Sequence, residues 1–253
     1  MKKTLLLLLC WSAMGAVMAS ESLSETELTV IRSLAASDIR TLAEGGQSFF
    51  LPKNADGTAA LHTTLQAIQQ ASASYKVMTT STLDGKLVIF KGTVERATKT
   101  PDGHPMLVVS AQGASKPVDA LLSPKLPGLT VKEPFKKGRT VSLLCRISYS
   151  TKGDLRFDDC QLTADLAGRA WDRVNTALDH FKDGSTGDTE MDHLVEMAVA
   201  ISVLMPKEQV NQSKNVDAVR DLYLNALRQY DVEKTWEDPR VMARLRELKI
   251  RKD

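Results

Sequence analysis

Aromatic side chains are scarce, 5% of 253 residues, so few rings are left over as stacking platforms for single-stranded nucleic acid. Cysteine occurs only three times, too few for a disulfide-stapled miniature fold or a four-thiolate zinc site. No apolar stretch supports a multi-span membrane protein. The formal charge of only +2 removes any global electrostatic case for nucleic acid or an anionic membrane. The short catalytic signatures are also missing: G-x-S-x-G, G-x-x-x-x-G-K-[ST], H-E-x-x-H and G-x-G-x-x-G. What remains is 43% hydrophobic and 25% charged, an ordinary soluble composition that excludes a disordered tail or a collagen-like repeat.

The first residues carry an address. Lys2 and Lys3 form a positive start, Leu5 to Leu9 begin an apolar segment, and Val17-Met18-Ala19 supplies compact residues at the positions a leader peptidase reads. The pattern predicts a signal peptide over residues 1–19, cleavage after Ala19 and delivery to the periplasm. A lipoprotein reading centred on Cys10 fails, because the bulky Leu9 precedes it. Without Lys2 and Lys3 the exported chain is formally neutral. It retains only Cys145 and Cys160, an even pair in an oxidising compartment, and a disulfide between them is expected.

Three segments follow. Residues 20–75 read as helical. Ser24 and Glu27 make a capping box, Leu28, Ile31, Ala35, Ile39 and Leu42 keep one face, and Gly45-Gly46 ends the helix. A second stripe of Leu61, Leu65 and Ile68 predicts a helix running to about Tyr75. Between residues 76 and 163 the period becomes two. Val88, Phe90, Gly92 and Val94 face one way, and Ile89, Lys91, Thr93 and Glu95 the other. Met106 to Val109, Val118 to Leu122, Val141 to Tyr149 and Leu155 to Leu162 continue as strands. Gly92 sits mid-strand, where a small barrel must bend. Five short strands predict a small five-stranded barrel, closed or nearly so.

Residues 164–253 return to the helical period. Leu166, Ala170, Val174, Ala177 and Phe181 form one stripe, and the run to Met205 predicts a buried helix. Residues 216–230 predict another, and Asp238-Pro239 opens a last one with Val241, Leu245 and Leu248 inward. The fold class expected is α+β, a barrel flanked by N-terminal and C-terminal helices.

The cysteines test the final hairpin. With a two-residue turn Lys152-Gly153, paired positions sum to 305, and Leu155 and Phe157 point away from Leu162. A three-residue loop Thr151-Lys152-Gly153 with one bulge at Asp158-Asp159 brings Tyr149 to Leu155, Ile147 to Phe157, Cys145 to Cys160 and Leu143 to Leu162, all on one face. That register is preferred. Directly opposed residues lie within disulfide reach, and the bond is worth on the order of 3 kcal/mol in the chain-entropy account.

The run Gly85-Lys86-Leu87-Val88-Ile89-Phe90-Lys91-Gly92-Thr93-Val94, then Leu143-Leu144-Cys145, then Asp159-Cys160-Gln161-Leu162 resembles the tRNA_anti-like family, described as OB-fold lipoproteins. The resemblance spans about residues 65–163 and implies an exported OB-type barrel. The family's name records a likeness to anticodon-binding barrels and does not establish nucleic-acid binding. The missing lipidation signal separates this chain from the lipoprotein members.

Charge is uneven along the chain. Residues 76–162 hold 14 Lys or Arg against 8 Asp or Glu, a surplus of six, while the flanking segments are each net −3. Lys132, Lys136, Lys137 and Arg139 cluster before the fourth barrel strand, and Arg146 lies within it. These five are the candidate ligand-binding residues. The reading is a non-catalytic binding module without cofactor or metal, whose partner is an envelope protein or an anionic glycan. Nucleic acid is disfavoured by the inward assignment of Phe90 and Phe157. The enzyme alternative is a hydrolase site around His180, Asp188 and His193. His193 with Glu196 is at most half a metal site, and Asp188, Glu190 and Asp192 read as a negatively charged helix start. Gly184-Ser185-Thr186-Gly187 reads as a flexible connection.

Overall fold

The computed structural model describes residues 22–75, 83–124, 135–150, 154–205, 218, 221 and 235–250. The leader, Lys132, the turn 151–153 and nearly all of the helix expected at 216–230 lie outside the described residues.

The capping box at Ser24 is formed: Glu27 N–H donates to Ser24 Oγ, and Ser24 N–H donates to Glu27 Oε2 at 2.6 Å. It opens α1 (Glu25–Ala43), which buries Ile31, Ala35, Ile39 and Leu42. The chain then crosses an irregular stretch tied down by Asn54. Its amide donates to Thr58 and Ala59, and its Oδ1 accepts Leu87 N–H at 2.7 Å. Leu61 belongs to no helix, contrary to expectation. With His62 it forms a two-residue strand β1 (Leu61–His62), parallel to Val88 and Ile89, and it is 48% exposed. α2 (Leu65–Tyr75) begins only after this strand.

Five strands close the barrel: β2 (Leu87–Lys99), β3 (Pro105–Ser110), β4 (Val118–Leu122), β5 (Thr140–Tyr149) and β6 (Leu155–Leu162). Their order is β2-β3-β4-β6-β5, with β5 pairing back onto β2; β4 and β6 are parallel and the other pairs antiparallel. Closure leaves no long unpaired edge in the barrel. The fold is the α+β small barrel with flanking helices that the sequence predicts. Gly92 stands where a Cβ would strike Val109 and approach the Ser110 carbonyl to 3.0 Å, so the sheet can fold inward there only with glycine.

The last hairpin has the expected register. Tyr149 faces Leu155, Ile147 faces Phe157, Leu143 faces Leu162, and the pairing shifts by one between Leu144 and Arg146. Asp159 takes the extra place with φ 51, a left-handed conformation that Asp tolerates better than most residues. Cys145 and Cys160 form the disulfide, with Cα atoms 4.1 Å apart and both residues fully buried. Phe90 and Phe157 pack beside them, ring centroids 4.8 Å apart.

Two hydrophobic cores share the barrel wall. The inner one holds Val88, Phe90, Leu143, Phe157 and both cysteines, and α2 plugs it with Leu65 and Ile68. The outer one gathers α1, α3 (Thr163–Asp179), α4 (Thr189–Leu204) and α5 (Pro239–Glu247) against Leu87, Ile89 and Leu144. The N-terminal and C-terminal helices thus build one layer over the outside of β2 and β5. Ile89, on the outward-pointing side of its strand, is 0% exposed because this layer covers it. Asp238 caps α5, Pro239 occupies its first turn, and Val241, Leu245 and Leu248 face inward.

A buried ion pair clamps the two ends of the chain within this layer. Arg244 of α5 donates to both oxygens of Glu27 at 2.8 Å and to the Ser22 carbonyl at 3.0 Å. Glu27 is 2% exposed. Burial alone would raise its carboxyl, but the bonds from Arg244 and Ser24 outweigh burial and hold it below the ordinary value.

Candidate functional site

A basic turn leads into β5. Phe135 is buried in the barrel core, fixing one end of the turn. Arg139 N–H donates to the Lys136 carbonyl at 3.1 Å, and Gly138 has φ +83, a conformation that suits glycine at the third position of a tight turn. Gly138 N–H and the Arg139 carbonyl then bond Val94 of β2, at 2.8 and 2.9 Å. An apolar plug and a glycine turn therefore leave Lys136, Lys137 and Arg139 exposed on a fixed backbone.

Strand pairing adds to this surface. Thr93 faces Thr140 and Lys91 faces Ser142 on the outer side of β2 and β5. A cleft of about 440 Å³ opens beside them, lined by Arg139, Thr140, Ser142, Leu162 and Thr163. The Ser142 hydroxyl, set against Gly45, has no hydrogen-bond partner among the described residues. The nearby Glu95 carboxylate accepts the Ser110 hydroxyl at 2.5 Å. Lys137 and Arg139 form no ion pair with a described residue, so their charge faces solvent. Lys91 was not identifiable as part of this surface by chain position. Only the pairing of β2 with β5 places it there.

Arg146 does not join the cluster. It lies seven positions beyond Arg139, roughly 20 Å along the strand, and donates to the Gly85 carbonyl at 2.7 Å. There it supports the approach to β2.

The residues of the hydrolase alternative have structural partners. Asp188 caps α4, accepting from Glu190 and Met191 N–H. The Arg173 guanidinium beside it outweighs partial burial and holds its carboxyl below the ordinary range. His180 Nδ1 lies 2.7 Å from the Thr176 carbonyl, one turn back in its own helix. His193 is 66% exposed at the side chain and 3.8 Å from Glu196. None of the three is bonded to another. Among the described residues, no group of three or more His, Cys, Asp or Glu could hold a metal ion. Residues 182–185 form a tight turn that leads into Thr186 and Gly187. Lys182 bridges Ser185, and Asp192 accepts from Ser185 Oγ, Thr186 N–H and Thr186 Oγ1.

No helix among the described residues is long and apolar enough to cross a membrane. No protein-family model matches the chain, and no curated protein matches it.

Proposed function

We propose that this is an exported, non-catalytic binding module of the bacterial envelope, a tRNA_anti-like barrel delivered to the periplasm, whose basic turn engages an anionic glycan. The observation that carries the reading is the exposed Lys136-Lys137-Arg139 turn, anchored by the buried Phe135 and by the Gly138 turn, beside a cleft lined by Thr140, Ser142 and Thr163. Clustered exposed cations suit a polymer bearing carboxylates. A protein partner is second, because the surface offers little for an apolar interface. Leu61 is the only large exposed hydrophobic residue among those described. Nucleic acid is disfavoured, since Phe90 and Phe157 stack inside the barrel, beyond the reach of bases.

Retention of the purified chain, residues 20–253, on immobilised alginate tests the reading. It should weaken steeply with added salt and be lost in Lys136→Ala/Lys137→Ala/Arg139→Ala, while uncharged dextran retains neither protein. Equal retention of wild type and triple variant would discard the basic turn as the site.

A further inference from the structure

A second cleft opens at the other end of β5, between α2 and the mouth of the β5–β6 hairpin. It has a volume of about 560 Å³, within the range of small-ligand sites. We propose that it binds a short peptide with free, oppositely charged ends.

The cleft is prebuilt on both sides. The Gln69 side chain of α2 accepts from Ser115 N–H at 2.7 Å and Ser115 Oγ at 2.9 Å, and donates to the Lys116 carbonyl at 2.7 Å. This pins the β3–β4 connection to the helix. Opposite it, Ser150 N–H donates to the Asp154 carbonyl at 2.9 Å, and Asp154 N–H returns a bond to Ser150 Oγ at 3.0 Å. The hairpin neck is closed by this exchange.

Each wall then presents one cation and one carboxylate: Lys116 with Asp119 on one, Arg156 with Asp154 on the other. All four are exposed, and none forms an ion pair with a described residue. Val118 and Leu155 supply an apolar floor. A further polar group faces the space. Ser72 is 7% exposed and lines the cleft, yet its hydroxyl bonds no described residue. A hydroxyl lining the cleft can pair with an incoming carbonyl or amide.

These features select the class of ligand. A polyanion would meet Asp119 and Asp154 as well as the cations. A sugar would find no aromatic ring among the lining residues to stack against. A short peptide brings an ammonium for the carboxylates, a carboxylate for Lys116 and Arg156, and main-chain amides for Ser72. Small apolar side chains suit the floor. This site is separate from the basic turn and does not depend on it.

Amide chemical-shift titration of the ¹⁵N-labelled chain, residues 20–253, tests the proposal with trialanine carrying free ends. N-acetyl-trialanine amide, maltotriose and inorganic phosphate serve as comparisons. Trialanine should move the amides of Lys116, Asp119, Asp154 and Arg156, and blocking both ends should weaken binding by at least about tenfold. Arg156→Gln and Ser72→Ala should each weaken binding while leaving the remaining spectrum in place. If either variant fails to fold, the free and blocked peptides still decide on the wild-type chain. Silence of the cleft amides at millimolar trialanine overturns the proposal. So does an equal response to the blocked peptide or maltotriose, or a response confined to Lys136, Lys137 and Arg139.

Discussion

Replacing Arg244 with Ala should loosen the helical layer more than any other single surface charge removal. The substitution leaves the Glu27 carboxylate in place, 2% exposed, with both of its Arg244 bonds gone. Breaking a buried ion pair on one side costs about 3–5 kcal/mol. Arg244 retains 17% of its side-chain exposure, so solvent takes up part of that and about 2–3 kcal/mol is expected. For a chain of this size the loss corresponds to a fall in Tm of roughly 5–10 °C.

Thermal unfolding followed by circular dichroism measures it, with exposed Arg246→Ala as control, expected within about 0.5 kcal/mol of wild type. Arg244→Lys should fall between, since an ammonium cannot make the two parallel bonds. The pH dependence carries its own sign. Glu27 is held below its ordinary value, so its stabilisation is fully present above the unfolded carboxyl value and is lost as pH falls through the lower folded one. Wild type should therefore lose stability in acid along an arm that Arg244→Ala lacks. A Tm fall no larger than that of Arg246→Ala, or identical acid arms, would refute the clamp.

Three further outcomes follow from the barrel. Cys145→Ser/Cys160→Ser should cost on the order of 3 kcal/mol in denaturant unfolding, since the bond links residues 15 apart; an unchanged midpoint contradicts the structural role. Asp159→Val should lose about 1–2 kcal/mol because a β-branched side chain resists the left-handed conformation, whereas Asp159→Gly should be close to neutral. Gly92→Ala should cost about 1–3 kcal/mol, as its Cβ meets Val109 inside the closed barrel; full retention of stability would mean that the sheet can open there.

The hairpin was the most legible part of the chain because three local constraints agree on it. Gly153 offers a turn, the alternation of Leu143, Cys145 and Ile147 sets a face, and the two cysteines must meet. Only a bulge at Asp158-Asp159 satisfies all three. The burial of Ile89 and Leu144 was less legible, since alternation marks one buried face and leaves the other to solvent. A signal was present in the uninterrupted run Leu87-Val88-Ile89-Phe90, which fits a strand covered on both sides. The Glu27–Arg244 pair joins residues 217 apart, and nothing local to either anticipates it. Leu61 misled because its spacing from Leu65 and Ile68 suits a helix, while its backbone pairs with Val88 in β1.

The candidate sites divide in the same way. Lys136, Lys137 and Arg139 are neighbours in sequence, so composition finds them. Lys91 joins them only through strand pairing, and Arg146 leaves them because seven strand positions carry it to the other end of the barrel. The second cleft draws on α2, the β3–β4 connection and both strands of the hairpin. No local pattern brings those segments together.

The central claim is a barrel whose last hairpin is cross-linked by one bond between Cys145 and Cys160, in a chain proposed to be exported, and intact mass of the chain recovered from the periplasm tests it most directly. The chain is denatured and treated with iodoacetamide before and after reduction. The account predicts a mass beginning at Ser20, no adduct before reduction and two after it. Two adducts on the unreduced chain, or a mass that still includes residues 1–19, would contradict it.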